Sequence, residues 1–241
     1  NGQQTPKQNQ DFTAELKGSV KVLAINEKLG QPTHISITVD KFTSDGDDVC
    51  PAGTVISAEN TGEKTDFGPK TSYTLDGKEA DPKDLEVIDA VLGVSSPNST
   101  VSDDQALGTD QPQAVGATWP VNADNCAKQL AAEGLPVSAD NVKGESSIVE
   151  VKKVNDTDVM VVKSNITCDG LKKDLAGGAA ITDGKLSAVT VGTLPVDASL
   201  PGVSFSEKSK ITMTIALPNG AGTVEVIIDR DRKETREPIA K

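Results

Sequence analysis

Ile35, Ile37 and Val39 alternate with Ser36, Thr38 and Asp40, and Ile211, Met213, Ile215 and Leu217 alternate with Thr212, Thr214 and Ala216. A period of two puts the apolar side chains of each run on one side of a strand and leaves the other side wet, the pattern of antiparallel sheets. Composition points the same way. Valine, isoleucine and threonine together make up 60 of the 241 residues, and these β-branched types fit a pleated, half-buried surface. Further strand signals lie at 20–25, 49–58, 148–154, 158–166, 186–194 and 223–229. Between several of them Asp45-Gly46, Asn155-Asp156 and Asn219-Gly220 supply residues that tolerate the positive φ of tight hairpin turns.

Two segments leave the alternating pattern. Asp81-Pro82-Lys83-Asp84 offers an N-cap, a proline at the first helical position and an acid in the first turn. Leu85, Ile88 and Leu92 follow at helical spacing, and Gly93 closes the segment. A second helix is expected over 123–133, capped by Asn122, ended by Gly134, with Cys126, Ala127, Leu130 and Ala131 on its apolar face. A shorter third is expected at 171–175, stopped by Gly177-Gly178.

Between the two longer helices, residues 95–116 are rich in Ser, Asp, Gln, Pro and Gly and read as a structureless linker or functional loop. The chain therefore reads as a flexible N-terminal stub (1–11) followed by one β-rich domain (12–241). Its two similar halves, 12–94 and 117–241, would be joined by loop 95–116. Leu16-Lys17-Gly18-Ser19-Val20 is echoed by Val142-Lys143-Gly144-Glu145-Ser146, 126 residues later. Each opens a strand pair, which leaves a duplication open.

Length and charge narrow the functions. A chain of this size buries roughly 70–75% of its unfolded surface and needs no metal or disulfide staple to fold. Its formal charge is −12, a poor footprint for phosphate, so nucleic acid and anionic membrane surfaces are not expected partners. The six aromatic residues, Phe12, Phe42, Phe67, Tyr73, Trp119 and Phe205, are too few for a base-stacking platform. No run approaches the roughly 20 apolar residues of a membrane-spanning helix. The Gln/Asn-rich opening resembles the stub left by a cleaved export signal or lipid anchor.

Catalytic and metal chemistry find little footing. The one histidine, His34, has no second imidazole, no Gly-x-Ser-x-Gly and no His-Glu-x-x-His beside it. It reads as an ordinary strand-end residue. No phosphate-cradling glycine loop occurs. Asp45-Gly46-Asp47-Asp48, Ser102-Asp103-Asp104 and Asp229-Arg230-Asp231 do not fit a calcium-binding loop and read as solvated turns and strand ends. Neither cofactor nor metal is expected. The three cysteines, Cys50, Cys126 and Cys168, are too widely spaced for a metal knuckle. Cys126 faces inward on its helix, and Cys168 shares a strand face with Met160, Val162 and Ile166. A Cys126–Cys168 disulfide is therefore the favoured pairing in an oxidising compartment, worth roughly 3–4 kcal/mol. Three buried thiols are the alternative. Trp119, after a polar loop and before a helix, reads as a plug in the seam between helix and sheet, or as a contact at a pocket mouth.

Val115-Gly116-Ala117-Thr118-Trp119-Pro120-Val121-Asn122, with Lys17-Gly18, Asp103-Asp104-Gln105 and Pro195-Val196-Asp197, resembles secreted or lipid-anchored bacterial proteins of uncharacterised families. The resemblance implies export to the periplasm, the extracellular space or a lipid anchor on the envelope, and a β-rich fold. It carries no active site to transfer. The expected architecture is α+β and mostly antiparallel: a curved sheet or incomplete barrel with two or three short helices on one face, similar at fold level to periplasmic lipoprotein carriers. The expected function is non-catalytic: binding an apolar small molecule within the curved sheet. The alternative is a structural or protein-interaction module of the cell envelope with an envelope protein as partner, and the oligomeric state is left open.

Overall fold

The structure, a computed structural model, describes residues 11–66, 68–197, 200 and 202–237. Most of the expected N-terminal stub, and Phe67, lie outside the described residues. Among the described residues the protein is mostly antiparallel β with three short helices, in two sheets, neither closed into a barrel. Two compact units contain them. The first runs to Glu63 and includes Lys70–Pro97; the second comprises Lys64–Pro69 and the chain from Asn98 on.

The first sheet contains β1 (Ala14–Ile25), β2 (Pro32–Ser44), β3 (Asp47–Asp48), β4 (Val55–Thr65), β5 (Gly68–Leu75) and β6 (Lys78–Glu79). Its order is β1-β2-β4-β5-β6, with β3 paired to β2. The alternation on β2 does what it should: Ile35, Ile37 and Val39 are buried, with Phe42, Ile56, Ala58 and Tyr73 in the same cluster. Helix α1 (Pro82–Val91) starts where Asp81 accepts the Lys83 N–H at 3.1 Å and buries Ile88 completely. The strand expected over 49–58 is broken instead. Pro51 has no N–H for a ladder, and Gly53, at φ +90°, turns the chain so that its N–H donates to the Val39 carbonyl at 2.7 Å.

In the second unit α2 (Asp103–Leu107), β7 (Thr118–Pro120) and α3 (Ala123–Ala132) precede β8 (Val142–Val154), β9 (Thr157–Asp169), β10 (Lys173–Asp174), β11 (Ala180–Pro195), β12 (Ser204–Ala216) and β13 (Thr223–Thr235). The order is β13-β12-β11-β9-β8-β7, with β10 paired to β11. Asn122 caps α3 by accepting the Asn125 N–H at 3.0 Å. Asn155 and Asp156, at φ +46° and +62°, make the tight β8–β9 turn.

Two expectations change here. Residues 171–175 are not helical. The Leu171 N–H donates to the Gly184 carbonyl at 3.0 Å, Lys173 and Asp174 pair with β11, and Gly177 and Gly178 take positive φ. Five residues facing a ready-made strand edge find ladder partners more readily than a helical nucleus. The span 95–116 is not structureless either, because α2 lies within it. Ser102 accepts the Gln105 N–H at 3.3 Å, and the Gln105 side chain accepts the Ser102 N–H at 2.9 Å, a reciprocal capping box.

Candidate functional site

β1 forms one end of its sheet. Val20 and Val22 stand opposite Ile37 and Ile35 of β2, so they continue the buried apolar row outward to the edge. There they are about half exposed: Val20 is 55% exposed, Val22 48%, Leu23 45% and Ile25 51%. An edge strand presents a row of backbone donors and acceptors, and natural edges are usually blunted by charge, proline or brevity. Between Gly18 and Ile25 the only charged side chain is Lys21. β8 repeats the arrangement. β7 pairs with Glu145, Ser146 and Ser147 and the Gly116 N–H reaches the Ile148 carbonyl at 2.8 Å; beyond them Val149 is 54% and Val151 50% exposed. The register skips Leu23 in β1 and Val149 in β8, and these two bulged residues are 126 positions apart, like Gly18 and Gly144. At the far end of the second sheet, β13 exposes Val224, Ile227 and Ile228.

Trp119, on β7, is half-buried and its indole N–H donates to the Leu107 carbonyl at 2.8 Å. It thereby ties the end of α2 to β7. α2 is held from the other side by α3: Asn125 donates to the Gln105 carbonyl at 2.8 Å and Gln129 to the Asp103 carboxylate at 2.9 Å. The tryptophan thus sits at the junction of helix and sheet within the second unit.

Cys126 and Cys168 enter one buried cluster with Val121, Val142 and Leu171. They stand there as two thiols rather than as the expected disulfide, and Cys50 is a third buried thiol in the first unit. Burial pushes the Cys126 thiol up to about 11, and Asp103 and Cys168 add repulsion in the same direction. Burial also raises Cys168 and Cys50 above the ordinary thiol range. A nucleophilic cysteine needs the opposite shift. Cys126 is expected to resist iodoacetamide at pH 8 in the folded protein and to react on unfolding. The sign for stability follows, because the folded pKa lies above the unfolded one. The contribution of Cys126 is full below about 9 and falls as pH rises toward about 11, where the unfolded chain has released a proton the folded chain keeps. A Cys126→Ala variant should show a shallower loss than wild type across that window in urea titrations.

His34 meets Ser57 at 2.8 Å, Nε2 to Oγ. A serine beside an imidazole is the first requirement of a nucleophile–base pair. The surroundings do not extend it. Ser57 lies within β4, a strand flanked by β2 and β5, so the ladder takes up the backbone N–H groups that an oxyanion site would need. The pair reads as a cross-strand polar contact.

The acidic clusters have structural places. Asp45 and Gly46, at φ +52° and +93°, form a turn in which Asp45 accepts the Thr13 N–H at 2.8 Å, and Asp231 pairs with Lys208 at 2.8 Å. Among the described residues no three His, Cys, Asp or Glu side chains are grouped to hold a metal ion, and no helix is long and apolar enough to cross a membrane.

No family model, curated protein or solved structure matches the chain.

The exposed edges are what sequence reading missed. The run Val20-Lys21-Val22-Leu23-Ala24-Ile25 signals a strand, but whether a strand lies at the rim or in the middle of a sheet depends on pairing that its own residues do not encode.

Proposed function

We propose that this is a non-catalytic, exported protein that works as an interaction module of the bacterial cell envelope, engaging other polypeptides through strand edges. One observation carries the reading: β1 is a 12-residue edge strand whose apolar side chains Val20, Val22, Leu23 and Ile25 are about half exposed. Adding a partner strand would satisfy its outer backbone groups and cover those side chains at once, the logic of β-augmentation. Export is supported by the resemblance of residues 115–122 to secreted bacterial proteins. The carrier alternative would place an apolar small molecule against the same side chains.

The test places a photo-reactive benzoylphenylalanine at Leu23 in the cells that make the protein, with irradiation and mass analysis. Adducts of polypeptide size are expected. Adducts of small-molecule mass, or none above those from a control position at Thr182, would overturn the interaction reading; the former would favour the carrier.

A further inference from the structure

The interaction reading leaves the partner open, and the two outer strands name one. We propose that β1 of one copy pairs antiparallel with β13 of a second copy, joining molecules head to tail. The proposal rests on the strand-edge reading above and specifies its occupant.

Both strands end their sheets, and they have similar length, 12 and 13 residues. One antiparallel register satisfies both sides of the joint. Val20 faces Val226 and Val22 faces Val224, while Lys21 faces Glu225 and Lys17 faces Asp229.

These pairs fall on the correct faces. Val20 and Val22 lie on the side of β2 that buries Ile37 and Ile35, and Val224 and Val226 lie on the side of β12 that carries Ile215 and buried Met213. The joint would therefore run the two apolar faces together and put lysine against acid on the opposite face. Residues 17–22 of β1 and 224–229 of β13 contain only one register shift, between Lys17 and Gly18, caused by an extra residue in β2 rather than β1. Both segments can thus form an unbroken ladder. The bulge at Leu23 limits it at one end, and at the other it stops at Lys17, before the same register would set Glu15 against Asp231.

Charge makes the pairing directional. Among the described residues Lys21, Glu225 and Asp229 make no ion pair, while Lys17 pairs with Glu15 at 2.8 Å, so the Lys21–Glu225 pair carries the charge argument. A β1–β1 joint centred near Lys21 would oppose like charges, whereas β1 against β13 opposes unlike ones, and opposite charges across a strand pair are favourable where like ones are not. Because the two contacting surfaces differ, the contact is heterologous and each added copy leaves a fresh β1 and a fresh β13, giving a ring or an open series.

The test is sedimentation velocity of the full chain over a concentration series, with circular dichroism to verify folding. Wild type should show concentration-dependent species. Lys21→Glu alone and Glu225→Lys alone should each weaken association about tenfold or more through like-charge juxtaposition. Mixing the two single variants should restore it, since each β1 then meets a β13 of opposite charge. Both positions are exposed, so folding is not at stake. A wild-type chain that is monomeric throughout, or association indifferent to both reversals, or no recovery on mixing, would falsify the joint. The cross-link at Leu23 separates the two failures. Polypeptide adducts other than the chain's own mass keep the interaction reading and remove this occupant, and absence of polypeptide adducts removes both.

Discussion

Replacing Phe42 by alanine is expected to cost about 3–5 kcal/mol, the largest single loss among the first unit's side chains. Phe42 is 1% exposed and is among the largest fully buried side chains of the protein. Its cluster draws on β2, β4, β5 and α1 through Val39, Ile56, Tyr73 and Ile88. Truncation would remove contacts to several elements at once and leave a cavity that stiff β-branched neighbours cannot refill. Its carbonyl also accepts the Val49 N–H at 2.9 Å, so the backbone is held where the void would open. Phe42→Leu, which keeps most of the volume, should lose far less, as size-preserving apolar exchanges usually do. Phe205→Ala serves as the comparison, because Phe205 is only partly buried. Urea unfolding followed by circular dichroism would measure all three. A Phe42→Ala loss no larger than that of Phe205→Ala would mean that the first unit does not pack around this ring.

The alternation at Ile35, Ile37 and Val39 was enough to identify a strand and its buried face, and the structure buries all three. Asp81-Pro82 and Asn122 located two helix starts to within a residue, because a cap is a local contract between a side chain and a backbone N–H two or three positions on. The same logic holds at Ser102-Asp103-Asp104-Gln105. Its acids stand out as a charge cluster, but serine followed three places later by glutamine is a capping-box pattern. Leu171-Lys172-Lys173-Asp174-Leu175 failed for a different reason. Its own residues permit a short helix, and the deciding partner, the Gly184 carbonyl, comes from β11. The candidate interaction surface was the least legible feature, since the exposure of Val20 and Val22 depends on β1 ending its sheet. Cys126 and Cys168 lie between these extremes. Helical and strand periodicity correctly turned both inward, but inward orientation does not fix whether two sulfurs bond.

Gly18→Ala and Gly144→Ala should each destabilise the protein by about 1–3 kcal/mol or slightly more, and by similar amounts. Neither glycine is there for a positive φ; the reason is space. A Cβ on Gly18 would stand 2.4 Å from the Thr38 carbonyl oxygen and 2.9 Å from Ile37 Cγ2. A Cβ on Gly144 would stand 2.4 Å from the Asn165 carbonyl oxygen and 3.1 Å from Val121 Cγ2. In each case the obstructing oxygen belongs to the residue just before the glycine's partner, Val39 for Gly18 and Ile166 for Gly144. A side chain can swing away, but a carbonyl within a sheet moves only by displacing its strand. The correspondence extends along both strands at the same 126-residue offset. Leu16 pairs with Phe42 as Val142 pairs with Cys168, and the skipped residue follows five places after the glycine in both. Gly192→Ala is the control. Gly192 lies in β11, and its nearest neighbour would be a Leu194 methyl at 3.6 Å, ordinary contact, so a change within about 0.5 kcal/mol is expected. Matched losses at Gly18 and Gly144 beside a silent Gly192 would mean that the two units use one close strand approach twice. A loss at Gly18 with none at Gly144 would reduce the Lys-Gly echo to a coincidence of sequence.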